Sequence, residues 1–227
     1  MYQSTKGIVL STTKYGETSV ICNLYTSEFG RQAVIVKGVR KKKGKFSYFQ
    51  SLNILELVIF NKGEGKIHNV KEVKVSKVFS QIPVNIYKSS IAMFLAEVIE
   101  KCLKEEEQNI SLYQFIEQSI LKLDEEEFNS QFHIFFLVEL SRYLGFYPNL
   151  ENNHLNYFDL MNGQFSNNKQ EHSYYCVNTK DLISAFELNK VQNKKEVLNH
   201  LLDYYQLHVE GFKTIKSKAI LETILNA

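Results

Sequence analysis

The chain has 227 residues, 44% of them hydrophobic and 13% aromatic, which is ample for packed cores and excludes a disordered polypeptide. No stretch approaches the roughly eighteen consecutive apolar residues of a membrane-spanning helix. The formal charge of +2 conceals a split: residues 1–80 hold fourteen Lys+Arg and five Asp+Glu, a balance of +9, whereas residues 81–227 hold thirteen and twenty, a balance of −7.

The length suits one large or two to three small domains. Residues 1–6 run straight into a strand-like pattern without an apolar signal core. Cys22, Cys102 and Cys176 are widely spaced and form no CxxC, so a reduced cytoplasmic protein is expected.

The basic third reads as five strands: 7–14, 18–25, 32–39, 49–60 and 66–75. In the second, Val20, Cys22 and Leu24 alternate with Ser19, Ile21, Asn23 and Tyr25. Ser27-Glu28-Phe29-Gly30 and Asn61-Lys62-Gly63-Glu64-Gly65 are turns. The fifth strand has a mixed alternation. Five short strands with no intervening helix fit an OB-type Greek-key barrel; an SH3-like barrel has the same strand count. Between the third and fourth strands, Lys37, Arg40, Lys41, Lys42, Lys43 and Lys45 place six positive charges in nine residues. Such a run is retained most readily where a polyanion relieves its self-repulsion; the competing reading is a solvated surface.

After Pro83 the apolar period lengthens to that of a helix. Ile91, Phe94, Leu95, Val98, Ile99 and Cys102 mark the first helix. Ser111-Leu-Tyr-Gln114 reads as a capping box opening a second. Asp124-Glu-Glu-Glu127 is expected to open a third, which carries Phe128, Phe132, Phe135, Phe136, Val138, Leu140 and Leu144 to Gly145 and is apolar on much of its circumference. Residues 148–178 are Asn-rich and irregular, with a short hairpin around Met161-Asn162-Gly163. Helical pattern resumes at 180–188, 194–208 and 217–225.

The expected class is α+β. Residues 1–80 are expected to form a five-stranded OB-fold nucleic-acid-binding domain and 81–147 a helical domain. Residues 148–178 form a small β-hairpin insertion, and 179–227 C-terminal helices packing on the helical domain.

The sequence has no Gly-rich nucleotide loop, no GxSxG and no HExxH. The carboxylates of 105–107 and 124–127 sit at helix ends, where solvation and the helix dipole account for them. What remains is a binding surface. Lysine and arginine contact phosphates without reading sequence, and exposed aromatic rings stack on bases. The nucleic-acid-contact candidates are Arg31, Lys37, Arg40, Lys41, Lys42, Lys43, Lys45, Phe46 and Tyr48. Tyr15, Tyr25, Phe29 and Phe49 are further aromatic candidates, Tyr25 and Phe49 being better suited to the core. An RNA-binding OB module and a metal-dependent nuclease are the alternative classes.

Ordered motifs span nearly the whole chain: Gly7-Ile-Val-Leu10, Tyr15-Gly-Glu-Thr18, Tyr25-Thr-Ser-Glu-Phe-Gly30, Val36-Lys-Gly-Val-Arg40, Leu144-Gly-Phe-Tyr-Pro148, Phe158-Asp-Leu-Met-Asn-Gly163, Tyr204-Tyr-Gln-Leu-His208, Gly211 and Lys216-Ser217. Together they resemble the bacterial DNA repair protein RecO (recombination protein O) family. The resemblance implies an OB-fold, a helical domain and a non-enzymatic, cytoplasmic, nucleoid-associated recombination mediator. Such a protein binds single- and double-stranded DNA, anneals complementary strands, helps load recombinase onto coated DNA, and works with RecR and the acidic tail of single-strand-binding protein (SSB). It implies no cofactor and no membrane.

Many members of that family carry a four-cysteine zinc site. Here Asn152-Asn153-His154-Leu155-Asn156 replaces the first pair. His154, His172 and Cys176 lack paired spacing, so no metal is expected, and the hairpin is expected to be held by Tyr157, Phe158, Leu160 and Phe165. For the SSB tail, Arg142 among Phe135 and Tyr143 is the candidate; a local salt bridge to Glu139 is the competing reading.

Overall fold

The computed structural model describes residues 1–40, 45–63, 65–104, 107–169, 173–176 and 179–225. The chain divides into two compact units. The first comprises Met1–Phe128 and the segment from Ile215 onward; the second is Asn129–Thr214.

The first unit opens with strands β1 (Tyr2–Tyr15), β2 (Ser19–Thr26), β3 (Gly30–Val36), β4 (Ile54–Phe60) and β5 (His68–Val75). They close into a barrel in the order β1-β2-β3-β5-β4, the expected OB architecture. Neighbours are antiparallel except β3 and β5, which pair in parallel through Val34–His68 and Ile35–Asn69. The alternation of β2 holds: Val20, Cys22 and Leu24 are fully buried beside Val9, Val34, Leu55, Leu57 and Ile59.

The mixed pattern of β5 has a physical cause. Glu72 pairs with Val58 and Val70 with Ile59, which leaves Lys71 as an extra residue at a β-bulge. A bulge shifts the side-chain phase by one, so Val70, Val73 and Val75 all pack on the core although they do not share one parity. β4 starts five residues later than expected. A 3-10 turn, Phe46–Phe49, and the buried, positive-φ Leu52 occupy the preceding segment.

Helices α1 (Ile86–Cys102) and α2 (Ile110–Glu125) follow. Asn85 and Asn109 cap them, each side chain accepting backbone N–H bonds from the first turn. The cap of α2 is therefore Asn109 rather than Ser111, whose hydroxyl donates to the Asn109 side chain. Nor does Asp124 open the next helix. It ends α2, and its buried carboxylate accepts N–H bonds from Ser80, Gln81 and Ile82. Burial alone would raise this acid; the backbone donors outweigh burial and lower it. Lys88, also buried, donates to the carbonyls of Asp124 and Glu126 at the α2 terminus.

The last helix, α6 (Ser217–Leu225), returns to this unit and packs on α1. Glu97 caps it, accepting from the backbone of Lys216 and Ser217 and from the Ser217 hydroxyl. Burial opposes ionisation of Glu97, but these donors and Lys101 hold its carboxyl down at about 2.

In the second unit, α3 (Phe132–Tyr143), α4 (Thr179–Phe186) and α5 (Lys194–His208) pack with β6 (Tyr157–Asp159), β7 (Gln164–Ser166) and β8 (Tyr175–Cys176). The expected hairpin is thus a three-stranded sheet, order β7-β6-β8. Phe158 is fully buried against Phe165, Phe186 and Tyr204. The Tyr205 hydroxyl donates to the Leu137 carbonyl at 2.6 Å.

Candidate nucleic-acid interface

The outer surface of the barrel has two contrasting faces. Over β1–β2–β3 lies α1. Its Glu100 accepts from the Ser11 hydroxyl at 2.5 Å and the Asn23 amide at 2.9 Å, and stands 3.9 Å from Arg31. Nearby, Tyr113 of α2 lies against Tyr25, ring centroids 6.2 Å apart. The second face, over β1–β4–β5 and the end of β3, is open. It holds a concave groove of about 1240 Å³, lined among others by Ser4, Lys6, Lys37, Lys45, Glu56, Val58, Asn69, Lys71, Glu72 and Lys74.

Strand register explains this lining. On β1, Ser4 and Lys6 are exposed while Thr5 is buried. Ser4 pairs with Val58 and Lys6 with Glu56; Glu56 pairs with Lys74 and Val58 with Glu72. The outward residues of three strands thus make one floor. Its charge is mixed. Lys74 and Glu56 are 2.7 Å apart, and this hydrogen bond lowers the Glu56 acid. Lys71 lies 3.8 Å from Glu72 and Lys6 3.9 Å from Glu117. Lys37 and Lys45 form no ion pair among the described residues; the Lys45 ammonium sits 5.5 Å over the Tyr48 ring.

The sequence-predicted contacts therefore separate. Lys37 and Lys45 line the groove. Arg40 is exposed and donates to the Gly16 carbonyl. Phe46 is 47% exposed, whereas Tyr48 is partly buried against the barrel core. Arg31 lies instead on the helix-covered face with Glu100. Lys41, Lys42 and Lys43 lie outside the described residues. Tyr25 and Phe49 are buried, as expected of core residues. Lys6, Lys71 and Lys74 belong to the groove but were not among the expected contacts. Only the register of β1, β4 and β5 brings them beside Lys37.

In the second unit, Arg142 pairs with Glu139 at 3.1 Å, and its guanidinium stacks 3.4 Å from the Tyr147 ring centroid. Tyr143 is 40% exposed and Phe135 partly buried. His154 is exposed and Cys176 buried; His172 lies outside the described residues. Among the described residues no group of three or more His, Cys, Asp or Glu is placed to hold a metal ion. Burial pushes the Cys22 thiol up to about 12, against the bond from Thr12, and burial likewise raises Cys102. Both thiols are protonated at neutral pH. No described helix is long and apolar enough to cross a membrane.

Two family models match in chain order: recombination protein O N terminal over residues 1–79 and recombination protein O C terminal over residues 83–219. The chain is 37% identical to the DNA repair protein RecO of Christiangramia forsetii, over 97% of this chain and 98% of the relative. It is 35% identical to that of Flavobacterium johnsoniae and 34% identical to one from Bacteroides fragilis, each over the full length of both. These names record DNA repair and recombination rather than a catalysed reaction. The barrel is accordingly the family's OB-fold domain, and the chain belongs to the recombination protein O family.

Proposed function

We propose that the protein is a non-enzymatic recombination mediator that binds single- and double-stranded DNA along the open face of its barrel and anneals complementary strands. The observation that carries this reading is the groove floored by β1, β4 and β5, where Lys37 and Lys45 form no ion pair among the described residues; in sequence they flank the Lys41–Lys43 run. Phosphate contacts of this kind are blind to sequence. Two strands held on one cationic surface repel each other less, and weak contacts leave their bases free to search for partners.

The partners on this reading are RecR and the acidic SSB tail, and the protein works in the cytoplasm on the nucleoid. Arg142 suits the tail: stacking on Tyr147 fixes the guanidinium plane and leaves N–H groups for a carboxylate. Arg142→Ala should weaken binding of a labelled tail peptide by about 1.5–3 kcal/mol and leave DNA binding intact. An unchanged dissociation constant would place the tail elsewhere.

The test of the main reading is fluorescence anisotropy with single-stranded and duplex oligonucleotides over a salt series, beside an annealing assay on complementary strands. Binding that ignores sequence and falls with salt is expected. Absence of binding, or a strong preference for RNA of the same sequence, would overturn it.

A further inference from the structure

Past the groove lining, the outward faces of β1 and β4 carry two exposed aromatic rings. Tyr2 pairs with Phe60 across β1 and β4, and Phe60 pairs with Asn69, which lines the groove. The register that turns Ser4 and Lys6 outward turns Tyr2 outward as well. Tyr2 is 55% and Phe60 39% exposed, with ring centroids 5.3 Å apart in an edge-to-face arrangement. The bulge that displaces Lys71 from the β4–β5 register places its ammonium 4.8 Å over the Tyr2 ring.

Large rings left in water on a strand pair need a reason, since each forgoes the burial that stabilises its counterparts in the core. A flat ring beside a lysine, continuous with a cationic groove, matches the repeating chemistry of a single nucleic-acid strand: a base to stack and a phosphate one step away. A duplex keeps its bases stacked internally and offers these rings nothing comparable.

We propose that Tyr2 and Phe60 form a base-stacking platform at one end of the groove, with Lys71 as its phosphate contact, and that the platform distinguishes single strands from duplex. The inference rests on the DNA-binding reading above. It adds a specificity that lysines alone do not supply, because phosphates are common to both forms.

The test compares the parent with a Tyr2→Leu, Phe60→Leu double variant, which keeps apolar cover but removes both ring faces, and with the conservative variant Tyr2→Phe. Binding of a labelled single strand should weaken roughly five- to a hundredfold in the double variant. Duplex affinity should hold, the salt slope should stay the same because no phosphate contact is removed, and Tyr2→Phe should bind like the parent. A single strand carrying 2-aminopurine should lose fluorescence on binding the parent and retain it with the double variant. If the parent binds single strands and the double variant binds them equally well, the platform is overturned and the DNA-binding reading stands. Equal weakening toward duplex overturns the single-strand specificity. If the parent binds neither form, both readings fall together.

Discussion

The two outer faces of the barrel come from one strand set and differ in what they do with charge. On the helix-covered face, the charge of Arg31 is matched inside the fold by Glu100, which also engages Ser11 and Asn23. On the open face, Lys37 and Lys45 have no such match among the described residues, and aromatic rings remain in water. A basic count over the first 80 residues therefore overstates what is available to a ligand. A cation engaged on the covered face, as Arg31 is by Glu100, is less available to a ligand than one on the open face.

The largest effect should follow from thinning the run of six cations between Lys37 and Lys45. Replacing Arg40, Lys41, Lys42 and Lys43 with Ala should weaken binding of unrelated single strands by similar factors. Each lost phosphate contact should flatten the log–log salt dependence by roughly 0.7. Circular dichroism should match the parent. An unchanged slope would leave the groove lysines as the whole interface.

Next in size is Glu100→Ala on the covered face. It removes three partners at once and should cost about 1.5–3 kcal/mol of unfolding free energy in a urea titration. DNA affinity should not fall. A fall would mean that the open face depends on the seating of α1.

A finer separation comes from single substitutions. Lys37→Ala should lower the salt slope by roughly one phosphate contact, about 0.7 on single strands, whereas Arg31→Ala should leave it unchanged. Equal slopes for the two would erase the distinction between the faces.

The smallest effect concerns the helical cover and pH. Glu97 is held at about 2, below its ordinary 4.5, by Ser217, Lys216 and Lys101. A group depressed on folding stabilises fully above its unfolded value, and that contribution is lost as pH falls from about 4.5 toward 2. Stability should drop across this window, and less so in Glu97→Gln. A drop of the same size in both would assign the acid sensitivity elsewhere, Asp124 being the first candidate.

Much of the barrel was legible because β-branched alternation in β2 and β3 is a local signal. The phase of β5 was not, since the bulge at Lys71 is defined by its partner strand. Ser111 reads as the α2 cap where Asn109 holds it, because cap choice depends on which residue leaves the helical backbone. The segment 124–127 misled for a similar reason: Asp124 serves Ser80, Gln81 and Ile82, some forty residues upstream. Of the groove lining, Lys37 and Lys45 were readable as parts of a local charge run. The exposed pair Tyr2 and Phe60 was not legible, because the two become neighbours only through strand register.

The return of α6 to α1 has a mechanical consequence. Residues 129–214 are spliced into the first unit between two stretches that both belong to it. Force applied along the chain reaches them only through Phe128 and Ile215, after passing the barrel at one end and the α6–Glu97 clasp at the other. Pulling on the C-terminal helix should therefore load this clasp directly, so Glu97→Gln should lower the force at which α6 detaches.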